Sequence, residues 1–217
     1  MAARDYGEYG GVTRAMELVG ERWAMLIVRD LLVGPRRYGE LAGGLPRIPS
    51  NILAARLKEL QEAGIIRRAP RSRVIVYELT PYGRELEPVV LALGAWGFKA
   101  MGDPRDEQII TPDSMTMDLR SAFRANVAAT LPATSYGARF GRAELLIRVD
   151  GSTLEVSRGD ATADAPVDLA FAAGPGIHRL ISGALAPERA IETGAVEVLL
   201  GRGDLLGRFA STFHLAA

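Results

Sequence analysis

The 217-residue sequence contains no cysteine and only two histidines, His178 and His214. Without cysteine the chain has no disulfide, no thiolate zinc site, no cysteine nucleophile and no thiol redox sensor. The two histidines lack metal-ligand spacing. The sequence also has neither a nucleophile-elbow serine motif nor a glycine-rich phosphate loop after a strand. We therefore expect a protein that is not an enzyme and holds no metal or cofactor.

Long apolar runs are also missing. The charge-free run that most resembles a membrane segment, residues 88–98, is far shorter than the roughly 18 residues that a spanning helix requires. The first residues have no apolar core of the signal-peptide kind. With 48% hydrophobic and 24% charged residues, the composition is that of an ordinary globular protein. We expect a cytoplasmic location and no membrane contact.

The formal net charge is zero, but the charges are unevenly distributed. Residues 1–102 carry 15 basic and 11 acidic side chains, whereas residues 103–217 carry 11 basic and 15 acidic ones. Within residues 36–73 there are nine basic and three acidic side chains. A basic cluster in a neutral chain is typical of a DNA-binding module joined to a second part. The alternative is an arginine-rich solvated surface.

Periodicity and turn residues predict a helical first half that contains a β-hairpin. The predicted helices cover residues 13–19, 23–33, 37–43, 49–63 and 81 towards 101, the last with a break near Gly94 and Gly97. β-branched residues predict strands over 65–68 and 74–79, joined by a tip at 69–73. This order is that of a winged helix-turn-helix, a mostly α-helical domain whose wing is the hairpin.

A polar, turn-rich stretch at residues 102–107 marks the predicted domain boundary. We assign residues 1–102 to the winged helix-turn-helix domain, 103–116 to a linker and 117–217 to a second domain. Its predicted helices cover 117–130, 175–182, 187–193 and 205–213, and its predicted strands cover 135–140, 144–149, 153–158, 167–172 and 196–200. This pattern predicts an α+β domain.

The helix predicted over residues 49–63 has one apolar and one polar face. At about 100° per residue, Leu53, Leu57 and Leu60 cluster on the side that we expect to face the core. The candidate DNA-reading residues on the other side and its edges are Ser50, Asn51, Ala54, Ala55, Arg56 and Lys58. Asparagine pairs with adenine and arginine with guanine, and alanine permits close approach to a major groove. An ordinary amphipathic helix is the alternative.

Basic and aromatic side chains flank this helix. We expect Arg71 and Arg73, at the hairpin tip, to lie over the minor groove or its phosphates. The candidate backbone contacts, which set register without reading sequence, are Arg36, Arg37, Tyr38 and Arg47. For Tyr38, half-buried packing is the alternative.

At these residues the chain resembles the HxlR-type family of bacterial winged-helix transcriptional regulators. The resemblance covers about residues 9–100, and the matching stretches are 20–23, 29–38, 48–64 and 77–83. It implies a homodimer, formed largely by the N-terminal helix and the helix after the wing. It also implies a pseudo-palindromic operator with half-sites about one helical turn apart. The implied recognition and wing residues are Ser50, Asn51, Ala54, Ala55, Lys58, Arg71 and Arg73.

One departure from this family concerns regulation. Redox-sensing members carry a cysteine just before the first helix, where this chain has Tyr9-Gly10-Gly11-Val12. We therefore do not expect an oxidant sensor, and we expect the regulatory input to come through the second domain.

The second domain resembles the sterol-carrier-protein type 2 fold over about residues 117–213. The resemblance rests on residues 167–171, 180–183, 190–194 and 196–198. It implies a mostly antiparallel sheet and helices around an apolar cavity. The candidate ligand-binding residues are Phe123, Phe140, Phe171, Phe209 and Phe213. Ordinary core packing is the alternative for each of them.

These observations favour a transcriptional regulator that binds double-stranded DNA as a homodimer and responds to a small, mostly apolar ligand in its second domain. The alternative is a lipid- or metabolite-binding carrier whose winged helix mediates protein contacts rather than DNA binding. A third interpretation keeps DNA binding and makes the second domain an appendage that strengthens the dimer without a ligand.

Overall fold

The structure is a computed structural model that describes residues 5–102, 105, 107–160, 166–174 and 176–215. Its contacts divide into two units, the first ending at Val90 and the second beginning at Leu91. The division therefore falls earlier than residue 102, where the polar stretch predicts it. Parts of that stretch lie outside the described residues.

The first unit contains short helices and one hairpin. Its helices are α1 (Gly11–Val19), α2 (Ala24–Val33), α3 (Tyr38–Gly44), α4 (Ser50–Glu62) and α5 (Pro81–Arg84), and α6 (Glu87–Phe98) begins in it. The hairpin pairs β1 (Ile66–Arg71) with β2 (Val74–Leu79) in antiparallel register. The predicted winged helix-turn-helix order is confirmed.

The helix after the wing is interrupted, but not where the sequence predicts. The chain leaves helical structure after Arg84 and re-enters it at Glu87, and α6 then runs without a break past both Gly94 and Gly97. Pro88 explains the position of the interruption. Proline lacks an N–H, and its ring clashes with the carbonyl four residues earlier, here that of Arg84. The predicted break near the two glycines is therefore wrong.

The base of the wing is pinned by the first turn of α5. The Thr80 hydroxyl accepts a hydrogen bond from the Gly83 N–H at 3.1 Å and donates one to the Gly64 carbonyl at 2.6 Å. Gly83 packs so closely that a Cβ there would overlap the carbonyl oxygen of Ile65. Only glycine therefore allows α5 to approach the start of β1 to this extent.

The second unit is an α+β structure built on one sheet. Its helices after α6 are α7 (Pro112–Ala122), α8 (Ala125–Ala128), α9 (Ile177–Ile181), α10 (Pro187–Glu192) and α11 (Leu205–Thr212). Its strands are β3 (Thr134–Phe140), β4 (Ala143–Asp150), β5 (Thr153–Arg158), β6 (Leu169–Ala173) and β7 (Val196–Gly201). The strand order is β5-β4-β3-β6-β7, with β3 and β6 parallel and the other pairs antiparallel.

The mostly antiparallel sheet agrees with the α+β prediction, but the predicted helix over 117–130 is two helices, α7 and α8, and begins inside the predicted linker. Thr111 caps α7, since its hydroxyl accepts from the Ser114 N–H at 3.1 Å, and Pro112 occupies the first helical position.

Within the described residues, no helix is long and apolar enough to cross a lipid bilayer.

Candidate nucleic-acid interface

Hydrogen bonds hold the turn between α3 and α4. The N–H of Leu45 donates to the Leu41 carbonyl at 3.1 Å, and both side chains are buried. The Tyr38 hydroxyl donates to the carbonyl oxygen of Ser50 at 2.8 Å. This bond joins the first residue of α3 to the first residue of α4. Tyr38 therefore connects the two helices through its hydroxyl while its side chain remains exposed, and its contact with a phosphate stays a prediction.

The face of α4 predicted to approach DNA is open to solvent. Its exposed residues are Ser50, Asn51, Ala54 and Lys58, and Ala55 beside them is half-buried. Lys58 lies 3.7 Å from the Glu62 carboxylate, and both side chains are well exposed. Such a surface ion pair is weak, so the lysine can exchange this partner for a phosphate.

Arg56 does not belong to that exposed face. Its side chain is only 8% exposed, and its guanidinium lies 2.6 Å from Glu59 and 3.1 Å from Glu21. A guanidinium held by two carboxylates inside the unit does not reach a base edge. Arg56 therefore leaves the set of candidate DNA contacts. The sequence indicates this burial. Arg56 follows Leu53 by three residues and precedes Leu60 by four, which places it on the same side of α4 as these leucines.

The tip of the wing is tighter than predicted. β1 extends to Arg71, so the turn consists of Ser72 and Arg73 alone. Ser72 takes the left-handed conformation, with φ of 54°, which a two-residue hairpin turn requires of at least one residue. Arg71 and Arg73 are both exposed, and Arg73 makes no ion pair with any residue that the structure describes.

The sequence analysis missed a buried carboxylate, that of Glu78, which pairs with two arginines of the wing, Arg67 and Arg71. Glu78, whose side chain is 5% exposed, lies 2.8 Å from Arg71 and 2.7 Å from Arg67. The hydrogen bond from Arg71, followed by that from Arg67, lowers the pKa of Glu78 below its ordinary value. Register could have revealed the second contact, because Glu78 is directly opposite Arg67 in the hairpin.

A cleft of about 590 Å³ opens between the start of α3 and the wing tip. Arg37, Arg71 and Arg73 line it, with Glu40 at its side. Arg36 fixes this arrangement through its backbone, which exchanges two hydrogen bonds with Tyr77 of β2, at 3.0 and 2.7 Å. Three guanidiniums around one concavity suit an anionic group such as a backbone phosphate.

The remaining predicted backbone contacts differ in exposure. Arg36 is half-buried, and Arg47 is exposed in the turn that precedes α4. The structure therefore brings Arg37 and the two tip arginines together in the cleft, whereas Arg47 stands apart from the residues that line it.

The phenylalanines of the second unit pack against one another. Phe140, Phe171, Phe209 and Phe213 are fully buried, and Phe123 is partly buried. Ring centroids lie 5.1 Å apart for Phe171 and Phe209, and 4.7 Å apart for Phe209 and Phe213. Such contacts are how aromatic rings fill a core. Phe140, Phe171, Phe209 and Phe213 therefore lie in the hydrophobic core with Phe123 packed against it, and their role in ligand binding stays a prediction.

A concavity of about 490 Å³ lies instead on the second unit's sheet, with charged residues Arg148, Glu155 and Asp168 in its lining. Asp168 accepts hydrogen bonds from the backbone N–H of Ser135 at 2.7 Å and from its hydroxyl at 2.8 Å. These two bonds, the backbone one first, lower the pKa of Asp168. The lining combines these charged groups with apolar residues such as Leu146, Val149 and Val167, whereas the sterol-carrier resemblance implies an apolar interior.

Residues 18–104 match the sequence model of the HxlR-like helix-turn-helix family. Over 112 residues the chain is 40% identical to the HTH-type transcriptional regulator Rv3095 of Mycobacterium tuberculosis, a match that covers 50% of this chain and 65% of that relative. The chain thus spans only 65% of the length of that relative.

A second relative is the HTH-type transcriptional regulator YodB of Bacillus subtilis. The chain is 39% identical to it over 85 residues, which cover 38% of this chain and 76% of YodB. The crystal structure of quinone-bound YodB covers 41% of this chain and 96% of its own, with 36% identity and a TM-score of 0.37.

Proposed function

Since the chain belongs to the HxlR-like helix-turn-helix family, we propose that it is a transcriptional regulator that binds double-stranded DNA. One observation carries the proposal: the exposed face of α4 stands next to a cleft lined by three arginines. Tyr38 connects the two features, because it follows Arg37 of the cleft and bonds to Ser50 of α4.

In this proposal α4 enters the major groove and the wing follows the phosphate backbone. Asn51 reads a base edge, most readily that of adenine, and Ala54 and Ala55 permit close approach. Arg37 and Arg73 bind phosphates on the two sides of the cleft. They contribute affinity and register but no sequence preference.

We propose that the protein acts as a homodimer on a pseudo-palindromic operator. Two exposed apolar stripes support this. Val12 and Met16 are one turn apart on α1, and Val89, Leu93 and Trp96 follow an i, i+4, i+7 pattern on α6. Trp96 is 74% exposed, and large apolar side chains in a row mark a surface that a partner covers. A two-fold dimer places its α4 helices on half-sites about 34 Å apart.

The DNA-binding proposal is tested by gel shift with the promoter region of the protein's own gene and a scrambled duplex of equal length. We expect binding that weakens steeply with salt. Asn51→Ala combined with Arg37→Ala should lower affinity by at least about tenfold. Arg84→Ala, which removes an exposed arginine of α5, is the matched control and should bind normally. A parent protein without salt-dependent binding, or a double variant that binds equally well, contradicts the proposal.

The dimer proposal has a separate test in sedimentation velocity. Trp96→Glu places a charge in the α6 stripe and should convert the dimer to a monomer. Leu200→Glu, a change at an exposed leucine of β7, is the control and should leave the dimer intact. If both variants sediment as the parent does, α6 is not the dimer surface.

We also propose that a small, mostly apolar ligand modulates DNA binding by favouring one dimer geometry. The relative YodB forms a quinone-bound complex. This chain has no cysteine, so a quinone would bind here without thiol chemistry. We keep the sterol-carrier-like assignment of the second unit as part of this proposal, supported by its mostly antiparallel sheet. The packed aromatic core favours the rival interpretation, in which this unit acts without a ligand.

Thermal unfolding with 1,4-naphthoquinone and with lauric acid, followed by gel shifts, separates the three interpretations. A ligand that raises the Tm and changes DNA affinity supports the regulator with a ligand. A ligand that raises the Tm of a protein indifferent to DNA supports the carrier. DNA binding with no response to either compound supports the appendage.

A further inference from the structure

We propose that Arg56 is a positioning residue that fixes the angle at which α4 is presented to DNA. The inference rests on the proposed function, because it assigns a role to a buried residue of the recognition helix. Arg56 touches no nucleotide in this account. It acts through Glu21, which lies outside α4.

The two ion pairs of Arg56 differ in what they connect. Glu59 lies on α4 itself, and its carboxylate is 2.6 Å from Nη1 and accepts a hydrogen bond from Nη2 at 2.9 Å. Glu21 lies in the segment between α1 and α2, 3.1 Å from Nη1. Of these two pairs, only the one with Glu21 joins the recognition helix to another element.

The segment that carries Glu21 is itself held in a specific conformation. Trp23 adopts a left-handed backbone with φ of 82°, which is uncommon for a residue other than glycine. The guanidinium carbon of Arg22 lies 5.1 Å from the Trp23 ring centroid, within cation–π range. The N–H of Ala24 donates to the Glu21 carbonyl at 3.0 Å. Glu21 therefore offers Arg56 a fixed anchor two residues after the end of α1.

A buried arginine at this position contributes less to stability than an apolar side chain of similar volume would. Burial removes its guanidinium from water, and neither its Nε nor its Nη1 has a hydrogen-bond partner among the residues that the structure describes. An apolar side chain of similar volume in place of a buried ion pair is often neutral or stabilising. What the pair with Glu21 adds is a charge–charge contact at 3.1 Å, which is kept only while α4 stays close to the segment after α1.

This direction matters most in a dimer that uses α1 in its interface. The orientation of α4 relative to α1 then sets the distance and angle between the two recognition helices, and so the half-site spacing that both can read. Loss of the anchor should relax the spacing preference. The sequence-independent affinity, which comes from phosphate contacts such as those of Arg37 and Arg73, should persist.

The test uses duplexes that the full-length parent selects from a random library, remade with half-site spacings changed by one and two base pairs. Affinities are measured by fluorescence anisotropy, with a random duplex for comparison. The variants are Arg56→Met and Glu21→Gln. Glu59→Gln is the matched control, since it removes only the pair within α4.

We expect Arg56→Met and Glu21→Gln to lower the ratio of specific to random affinity by about tenfold. Their preference for one spacing should flatten, while affinity for the random duplex should stay near that of the parent. The Tm should stay within about 4 °C of the parent value. Glu59→Gln should keep the ratio and the spacing preference. The Arg56→Met/Glu21→Gln double variant should show no weaker spacing preference than Arg56→Met alone, because Arg56→Met already removes the pair with Glu21.

Two results would overturn the role of Arg56 while leaving DNA binding intact. One is an unchanged spacing preference in both variants. The other is an equal loss on every duplex, which would make Arg56 a phosphate contact. A parent that selects no sequence overturns the proposed function, and this inference with it. If Arg56→Met does not fold, Glu21→Gln carries the test, because the Glu21 side chain is 37% exposed.

Discussion

The core of the first unit is aliphatic, whereas the second unit is built around aromatic rings. The buried side chains of the first unit include Ile27, Val28, Leu31, Leu41, Leu53, Leu57, Leu60, Ile65 and Ile66. In the second unit, Phe209 contacts both Tyr136 and Phe171 edge to face. The first unit directs arginines into an open cleft, and the second binds Arg158 to the buried Asp113 at 2.7 Å. In our proposal, the arginines of that cleft are the groups that bind DNA.

Each unit also contains a carboxylate whose pKa is lowered, by different means. Two guanidiniums lower the pKa of Glu78, whereas the Ser135 N–H and hydroxyl lower that of Asp168. Ion pairs weaken in salt, but hydrogen bonds from neutral donors do not. The two carboxylates therefore report separately on a buried group held by arginines in the first unit and on an exposed group held by neutral donors in the second.

The largest effect that we expect comes from opening the aromatic core. Phe209→Ala removes a ring that contacts Tyr136, Phe171 and Phe213. It should lower the free energy of unfolding by about 3–5 kcal/mol, measured by urea denaturation, because the rigid surroundings leave a cavity. Phe123→Ala, at the partly buried edge of the cluster, is the control and should have a smaller effect. A loss of unfolding free energy below about 1 kcal/mol for Phe209→Ala would indicate that the parent protein already has a cavity around this ring instead of a filled core.

A smaller effect should follow from removing one charge at the wing tip. Arg73→Ala should weaken DNA binding about fivefold and reduce the slope of log affinity against log salt concentration by about one, because one phosphate contact is lost. Arg148→Ala removes an exposed arginine of the second unit and is the matched control. Equal losses in the two variants would show that charge location does not matter and would remove the contrast between the units.

The smallest effect concerns the two carboxylates. In an NMR titration, added salt should raise the pKa of Glu78 towards its ordinary value and shift that of Asp168 less, because the charge of Arg208 is only a minor cause of the lowered pKa of Asp168. A carboxylate with a lowered pKa stabilises the fold above its unfolded pKa, and that stabilisation is lost as pH falls through the folded pKa. Both contributions are therefore lost in acid, and salt should move the Glu78 loss to higher pH by more than the Asp168 loss. An equal response of both groups would contradict the assigned causes.

Local patterns predicted most of the elements because their causes are local. Gly34 and Pro35 end α2, Pro49 precedes α4, and the leucines of α4 repeat at helical spacing. These residues limit backbone conformation wherever they occur. The bounds of β4, β5 and α11 agree with the predicted ones within one residue for the same reason.

The errors arose where distant residues decide the outcome. The sequence does not show that Glu21 would lie against Arg56, or that Arg71 would pair with Glu78. The parallel pairing of β3 with β6 is equally non-local. The interruption before α6 is different, since Pro88 is visible in the sequence and explains it better than Gly94 does.

The close approach of Gly83 to Ile65 has a consequence for protein engineering. A wing transplanted as residues 66–79 would lose the turn that holds its base, so a functional graft must include residues 80–83 as well. Any larger side chain at position 83 would push the hairpin away from α5. In genome comparisons, a glycine at this position should therefore mark chains whose wings have the same position relative to the recognition helix.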